Sequence, residues 1–413
     1  MLASACYTNK LYNSMTLDIT QVYSQIEAMA GDLKSHQSDY AQKLELALTT
    51  LKSISPHQDK LKKKIENARA TWLVAGLKED MDLHKAAVPC PDDFMVVASD
   101  GSHIDVDRHH STRLFLLNIG LVELQYGSKP DAEMLSLPTL YFGDEMQAIR
   151  SRDGRQALIE GPLLSIKRGV EECRSLADRV CGTKNDLPAA GLIDGSLIMW
   201  GLVGPRFDDF IVEQLLDEGL LKQFDRFYEL NKKKKAVIAS YISFPRSTDV
   251  VNALRLQICP YDPVDCDKYC KGKFEGRECD VVGGPLDRAL FAGMLSNGER
   301  SAVFSSRSSI IERYGVHEVC FFYLKLDEEV ARVEVPLWVA DNNELLDLVH
   351  SVIVDQCNKG FGYPVSLSEA HEQAVVTGAD REQFWDLVDR VMQEGSLAVQ
   401  HSLKQRSKKT KWL

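Results

Sequence analysis

The tripeptide Asp-Gly-Ser occurs twice in the chain, beginning at Asp100 and at Asp194, and each copy directly follows an apolar run. If these runs are buried strands, each aspartate lies at the carboxyl end of a strand, where glycine lets the chain turn close to a bound ligand. Adjacent strands would bring the two carboxylates together, and a divalent cation that prefers oxygen ligands, Mn²⁺ or Mg²⁺, would relieve their repulsion. A plain turn is the alternative interpretation of either copy taken alone.

A third carboxylate is expected on the helix predicted between the two tripeptides, over residues 162–180. Glu172 shares a helical face with the apolar side chains, whereas Glu171 lies among charged residues on the opposite face. A glutamate that points toward a sheet is costly unless it is paired or binds a metal. Glu172 is therefore the candidate third carboxylate, and the alternative is a partly exposed boundary residue. Glu160, before the helix, is a weaker substitute.

Three carboxylates that share hard cations are the arrangement used in two-metal phosphoryl chemistry. One ion lowers the pKa of a bound water and the other stabilises the leaving oxygen, so that no protein nucleophile is required. In this interpretation Asp100 would bridge two ions. A serine-hydrolase interpretation of Ser102 or Ser196 lacks the Gly-x-Ser-x-Gly sequence that such enzymes use.

The elements that must position these residues follow from hydrophobic periodicity, which predicts an α/β fold with a mixed sheet flanked by helices. The first three predicted strands are closely spaced and should pair antiparallel, whereas the fourth follows a helix and should be parallel to an earlier one. Strands are predicted at 94–98, 113–125, 137–142, 189–193, 236–242, 319–326 and 331–336. Further helices are predicted at 247–256, 343–356, 366–375 and 381–393.

The organisation predicted along the chain comprises an N-terminal helical arm over 15–85, a main domain over 90–395 and a basic tail over 396–413. We expect residues 1–14 to be disordered because they match no pattern. The arm would either pair with another subunit or lie on its own domain.

Composition limits the class of protein. The chain has 413 residues, and 49 basic against 60 acidic residues give a net charge of −11. This balance argues against a protein that coats nucleic acid over its whole surface, although a local basic track is compatible with it. The sequence has neither a long apolar run nor an export signal, so we expect a cytoplasmic protein without membrane association. Its ten cysteines are then expected to be thiols or metal ligands.

Four of these cysteines lie close together in an insertion over residues 259–280: Cys259, Cys266, Cys270 and Cys279. Four thiolates on one loop could hold a structural Zn²⁺ or an iron–sulfur centre. Unliganded thiols in an insertion are the alternative.

Several later residues are candidates for contact with phosphate or bases. Arg246 lies at a predicted strand-to-helix junction, where a helix N-terminus can bind phosphate. Arg300 and Arg307 are further phosphate candidates, with surface ion pairs as the alternative. Tyr363 would stack on a base or be buried in the core. His371 could bind a metal or transfer a proton, and a histidine bonded to a neighbour on a helix surface is the alternative.

The two Asp-Gly-Ser copies, the helix with Glu172, residues 192–198 and the late block 362–371 together resemble the NurA family of DNA end-processing nucleases. The resemblance spans about residues 90–395. It implies a ribonuclease H-like core and a Mn²⁺-dependent 5′ to 3′ exonuclease that is also an endonuclease on single strands. It also implies a ring-like homodimer that works with the HerA hexameric translocase in resection of DNA double-strand breaks. By this resemblance Asp100, Glu172 and Asp194 would bind metal, and His371 would be the late active-site residue.

A rival interpretation keeps the fold without the catalysis. The protein would then be a non-catalytic adaptor that guides DNA for a translocase. A nuclease that acts on RNA is a third possibility, because recognition of a 2′-hydroxyl leaves no short motif.

Overall fold

The computed structural model describes residues 18–54, 58–107, 113–143, 145–273 and 276–396. The predicted disorder of residues 1–14 lies outside the described residues, as does the basic tail beyond Ser396. In the described part of the chain, no helix combines the length and the apolar character needed to cross a membrane.

The N-terminal arm is helical, as predicted, but its helices end earlier than the sequence suggests. Helix α1 spans Ile19–Ile54 and α2 spans Gln58–Glu66. Only the last turns of α1 are buried, through residues such as Leu51, because the preceding turns project from the body of the protein. The segment 67–86 was predicted to belong to the arm, but it forms loops and two short strands that join the sheet.

The core of the fold is one large mixed sheet whose main path runs β1-β11-β12-β13-β9-β8-β3-β4-β5, with β2 and β10 attached beside β12. Its strands are β1 Gly76–Leu77, β2 His84–Ala86, β3 Phe94–Ile104, β4 Leu114–Tyr126, β5 Asp131–Phe142, β8 Ala189–Asp194, β9 Ala236–Ile242, β10 Glu299–Ser301, β11 Phe304–Ser305, β12 Val319–Leu326 and β13 Glu329–Pro336. Strands β6 Ala148–Arg150 and β7 Gln156–Leu158 form a separate hairpin.

Strand pairing agrees with the predicted order. Strands β3, β4 and β5 pair antiparallel, and β8, which follows a helical crossover, is parallel to β3. Strand β9 continues the parallel part of the sheet beside β8. The predicted α/β class with a mixed sheet is therefore confirmed.

The remaining helices are α3 Pro162–Gly182, α4 Asp209–Val212, α5 Lys222–Asn231, α6 Asp249–Ile258, α7 Cys266–Tyr269, α8 Asp287–Ala292, α9 Leu337–Ala340, α10 Asn343–Lys359, α11 Val365–Ala374 and α12 Gly378–Glu394. Helices cover both faces of the sheet, because central strands such as β8, β9 and β12 are buried along nearly their whole length. One face carries α3 and α5 at one end, and α6 and α8 with the last turns of α1 at the other. The opposite face carries α10 and α11.

The structure corrects the expectation that both Asp-Gly-Ser copies are turns. The first copy lies inside β3, where Asp100 pairs with Gly120 of β4 and the ladder continues to Ile104. The second copy does end its strand, because Gly195 has a φ of 97° and directs the chain away from the sheet. The helical stretch 209–231, which includes a π-helical segment between α4 and α5, was not predicted.

Candidate active site

Asp100 and Asp194 lie side by side on neighbouring parallel strands. Ser99 of β3 is paired with Ile193 of β8, so the two aspartates occupy the next position along each strand. Adjacent strands are about 4.8 Å apart. Both side chains emerge on the face that carries α10 and α11, because the preceding alternate residues Ala98 and Leu192 are buried there. The local fold therefore brings together two carboxylates that are far apart in sequence.

Glu172 approaches the same place from the opposite face of the sheet. It lies on α3 and is 6% exposed, and the hydroxyl of Ser99 donates a hydrogen bond to its backbone carbonyl at 3.0 Å. A Cβ atom added to Gly101 would lie 2.5 Å from Glu172 Oε1. A side chain at position 101 would therefore displace the Glu172 carboxylate from its place against β3.

Burial shifts the acidity of Glu172. Desolvation is the main reason that its pKa rises from 4.5 to about 7, and the charges of Asp100 and Asp194 add to the rise. Arg168 opposes the rise, since its Nε lies 3.0 Å from Oε1. The two atoms are within ion-pair distance but do not form a well-aligned hydrogen bond. A cation that binds Glu172 Oε1 would therefore compete with Arg168.

The carboxylate of Asp194 is affected by the same neighbours. Desolvation and the charge of Asp100 raise its pKa, while hydrogen bonding with Tyr363 and the backbone N–H of Gly195 opposes this rise. The Tyr363 ring is half-buried against Tyr241, with ring centroids 5.5 Å apart. Tyr363 therefore packs beside the carboxylates, at a point where it could also meet a substrate.

His371 completes the group from helix α11. Its Nδ1 lies 2.7 Å from Asp100 Oδ2, and its side chain is 64% exposed. Because an ionised carboxylate can only accept, this hydrogen bond places the proton on Nδ1 and leaves Nε2 free. The other carboxylate oxygen of Asp100 accepts a hydrogen bond from the N–H of Gly101 at 2.8 Å.

Helix α11 holds His371 in place because it lies directly on the backbone of β4. A Cβ atom added to Gly120 would overlap the carbonyl oxygen of Ala370 and the amide nitrogen of Ala374. Asn118 donates hydrogen bonds from Nδ2 to the carbonyl oxygens of Gln373 at 3.1 Å and Ala374 at 3.0 Å. The position of His371 is thus determined by contacts of its helix with the sheet.

We expect Gly120→Ala to lower the free energy of unfolding by about 1–3 kcal/mol, because the new methyl group must displace helix backbone. Urea denaturation measures this change. Gly31→Ala is the matched control, since an added Cβ there meets nothing within 4 Å in the middle of α1. That control should gain about 0.5–1 kcal/mol. Equal stability of Gly120→Ala and the wild type would show that α11 does not contact β4 in this way.

A buried polar network, which the sequence did not reveal, anchors the turn after Asp194. Glu334 of β13 accepts hydrogen bonds from the Ser196 hydroxyl at 2.7 Å and the Leu197 N–H at 2.9 Å. Its other oxygen accepts from Nε of Arg332 at 2.9 Å, and Arg332 Nη1 donates to Asp249 at 3.1 Å. Both members of the Arg332–Glu334 pair are at most 3% exposed. The buried carboxylate of Glu334, which is paired with Arg332, therefore holds the second Asp-Gly-Ser turn in position.

The donor set fits hard divalent cations. Asp100, Glu172 and Asp194 offer carboxylate oxygens with an imidazole close by, a combination suited to Mn²⁺ or Mg²⁺. Within the described ranges, no three side chains of His, Cys, Asp or Glu already converge as metal ligands. Mutual repulsion keeps unscreened carboxylates apart, so binding would require small side-chain rotations.

The three arginines predicted to contact phosphate differ in their exposure to solvent. The structure corrects the expectation for Arg300, which is 1% exposed and donates to both carboxylate oxygens of Glu79 at 2.8 and 3.2 Å. A buried, paired arginine is not available to a phosphate at the surface. Arg246 and Arg307 are exposed, and Arg246 follows β9, whose carboxyl end lies beside that of β8.

The predicted cysteines Cys259, Cys266, Cys270 and Cys279 all line one small cavity, separate from these carboxylates.

Comparisons with known proteins bear on this site. The model of the NurA domain family matches residues 94–376. Among solved structures, the chain is similar to the NurA nuclease from Sulfolobus solfataricus, with a TM-score of 0.44 and 14% identity over 90% of this chain and 98% of that one. It is also similar to Argonaute from Aquifex aeolicus, with a TM-score of 0.25 and 9% identity over 68% of this chain and 28% of that one. No curated protein matches the chain.

The family match covers more than half of the chain, from the first residue of β3 to just beyond α11. It therefore contains all four residues of the carboxylate and histidine group. On this match, the chain belongs to the NurA family and is a nuclease of that family.

Proposed function

We propose that this nuclease hydrolyses phosphodiester bonds in DNA with divalent cations held by Asp100, Glu172 and Asp194. One observation carries the proposal: two aspartates on adjacent strands and a buried glutamate from the opposite face share one position in the sheet. The raised pKa values of Glu172 and Asp194 support it, because a bound cation would offset their mutual repulsion. The order of strands β3, β4, β5, β8 and β9 supports the proposal of a ribonuclease H-like core.

We propose Mn²⁺ as the cation, with Mg²⁺ as the alternative, and two ions per site. When bound, such ions lower the pKa of an attacking water and stabilise charge on the leaving oxygen. Asp100 would contribute to both positions, and Glu172 would offer Oε1, which is ion-paired with Arg168 at 3.0 Å.

We propose that His371 binds a metal or transfers a proton. Its hydrogen bond to Asp100 fixes the imidazole orientation and leaves Nε2 as the atom that can bind a metal or exchange a proton with the departing oxygen. Tyr363 can orient Asp194 through its hydroxyl. Arg246 and Arg307 remain candidates to bind the phosphates of the substrate.

For the finer activity, we propose a 5′ to 3′ exonuclease with endonuclease activity on single strands, and membership of the NurA family supports this proposal. We also propose a homodimer that acts with a HerA-type hexameric ATPase translocase in resection of DNA double-strand breaks.

The test is a cleavage assay on single-stranded and duplex DNA labelled at either end, with Mn²⁺, Mg²⁺ or a chelator. We expect Mn²⁺-dependent shortening from the 5′ end and no cleavage in the chelator. Binding of DNA or of the translocase without cleavage in either cation would support the adaptor interpretation instead. An RNA strand of the same sequence is the matched substrate control, and preferential cleavage of it would overturn the assignment to DNA.

A further inference from the structure

Four cysteines of the insertion between α6 and α8 line one small, partly open cavity. The cavity has a volume of about 10 Å³, and its lining includes Cys259, Cys266, Cys270 and Cys279 together with Trp72. Three of the four cysteines are at most 8% exposed, and Cys270 is partly exposed. A space of this size holds about one water-sized body. Four cysteines thus line a space for one body of about the size of a water molecule.

Secondary structure fixes the backbone of each cysteine. Cys259 ends helix α6, and Cys279 lies in the short 3₁₀ helix at Glu278–Val282. Cys266 and Cys270 are one helical turn apart, with the Cys270 N–H donating to the Cys266 carbonyl at 2.9 Å. The four sulfurs therefore come from three local elements.

The same cysteines connect the insertion to the base of the N-terminal arm. The N–H of Arg69 donates to the Val264 carbonyl at 2.9 Å, and the N–H of Cys266 donates to the Arg69 carbonyl at 3.0 Å. The ammonium group of Lys64, at the end of α2, donates to the Cys259 carbonyl. These contacts cross more than 190 positions of sequence, at a place where the arm leaves the body of the protein.

Positive groups surround the cavity. Arg255 Nη2 lies 4.0 Å from Cys279 Sγ, and its guanidinium carbon lies 3.8 Å from the centre of the Trp72 ring. The guanidinium carbon of Arg277 lies 5.3 Å from the same ring. Thiolates formed at this cavity would have guanidinium groups close by.

We propose that Cys259, Cys266, Cys270 and Cys279 form a four-thiolate metal centre that fastens the insertion to the arm. The size of the cavity favours a single tetrahedral Zn²⁺, and an iron–sulfur centre is the other source of the same ligand chemistry. Zinc would lie about 2.3 Å from each sulfur. Since no three ligands converge within the described ranges, the cysteine side chains would rotate into the cavity on binding.

The protons are accounted for in this proposal. Four thiols release four protons to solvent when they bind Zn²⁺, and the complex carries two negative charges. The guanidinium groups of Arg255 and Arg277 lie near the cavity, and Arg255 also pairs with Asp280 at 2.6 Å. The centre is separate from the carboxylate site, so the proposal does not depend on the nuclease activity.

The test is the metal content of the full chain, purified without a polyhistidine tag from cells supplied with zinc and iron, under anaerobic conditions. The protein is dialysed against a chelator that strips weakly bound divalent ions before elemental analysis and a sulfide assay. We expect about one zinc per chain. Iron with matching acid-labile sulfide also supports the centre and identifies it as a cluster. A chain without zinc or iron overturns the proposal.

Variants assign the metal to these residues. We expect the double variant Cys266→Ser, Cys270→Ser to lose the metal, and Cys181→Ser, a partly exposed thiol on α3, to keep it. Full metal content in the double variant would overturn the assignment. A wild-type measurement keeps the test valid if the double variant does not fold: alkylation followed by mass spectrometry should show these four thiols protected until the metal is removed. Equal alkylation before and after removal, or disulfides between them, would contradict the proposal.

Discussion

Asp100→Asn is expected to reduce metal-dependent DNA cleavage by about 10³-fold or more while the protein stays folded. The substitution preserves shape and removes the charge that, in our proposal, is shared between two cations. Asp100 also accepts from His371 and from the N–H of Gly101, and an asparagine oxygen can keep one of these hydrogen bonds. Initial rates on end-labelled DNA, measured over a range of Mn²⁺ concentrations, give the effect.

Asp186→Asn is the matched control. Asp186 is exposed in the loop before β8, at the opposite end of that strand from Asp194. Its substitution removes the same charge without touching the site and should leave the rate unchanged. Wild-type rates in Asp100→Asn would exclude this carboxylate from the reaction. An equal loss in both variants would point to a general effect of net charge on DNA binding.

Glu172→Gln is expected to have opposite effects on activity and on stability. The charged carboxylate is buried, and desolvation raises its pKa from 4.5 to about 7. Protonated Glu172 therefore contributes stability that is complete below about pH 4.5 and is lost as the pH rises through about 7. In a chelator at pH 8, the neutral glutamine should raise the free energy of unfolding by roughly 1–3 kcal/mol. At pH 5 the difference should nearly vanish.

Cation binding should make the wild type more stable than the Glu172→Gln variant. In our proposal Mn²⁺ binds the native wild-type site and stabilises it by mass action, whereas the glutamine variant binds the ion weakly. Cleavage by the variant should fall by about 10²-fold or more, as expected when a group that stabilises transition-state charge is removed. Urea denaturation at both pH values, with and without Mn²⁺, tests the linkage.

Glu171→Gln provides the comparison within the same helix. Glu171 forms ion pairs with Lys167 at 2.5 Å and Arg174 at 3.2 Å on the other side of α3. Its substitution should lower stability slightly at both pH values and leave cleavage intact. If Glu172→Gln were instead less stable than the wild type at pH 8 in chelator, the carboxylate would be well solvated or fully paired.

Local sequence patterns predicted much of the site because the relevant interactions are local. The period of the helix distinguished Glu172 from Glu171, since one face of α3 must be apolar to cover the sheet. The helical crossover predicted that β8 would lie parallel to an earlier strand, and the structure shows that this strand is β3. Asp100 and Asp194 therefore lie on adjacent strands, as the metal-site hypothesis required.

The two glycines of the Asp-Gly-Ser copies show the limit of prediction from local sequence patterns. Gly195 makes a turn, as predicted, with a φ of 97°. Gly101 instead stays extended in β3 and leaves space for Glu172. Glycine permits both conformations, so the choice depends on a helix that contacts the strand from 70 positions away.

The long-range polar contacts could not be predicted from the sequence for a related reason. Alternation along β13 would normally assign Arg332 and Glu334 to a solvent-facing side. Both are buried instead, because Asp249 and the turn at Ser196 supply their partners. Arg300 is buried against Glu79 in the same manner. No pattern within a strand identifies a partner on another element, so these contacts required the structure.

The dependence of His371 on the contact at Gly120 also has a consequence for biosynthesis. Every strand of the described sheet precedes α11 in the chain, so a ribosome completes the three carboxylates before it makes the helix with the histidine. Domains generally begin to fold from their N-terminal side during translation. A nascent or prematurely terminated chain that stops before residue 365 would lack α11. The backbone of β4 would then be uncovered, and the imidazole of His371 would be missing. If His371 takes part in cleavage as we propose, a chain of this kind would carry the three carboxylates but could not yet cleave DNA.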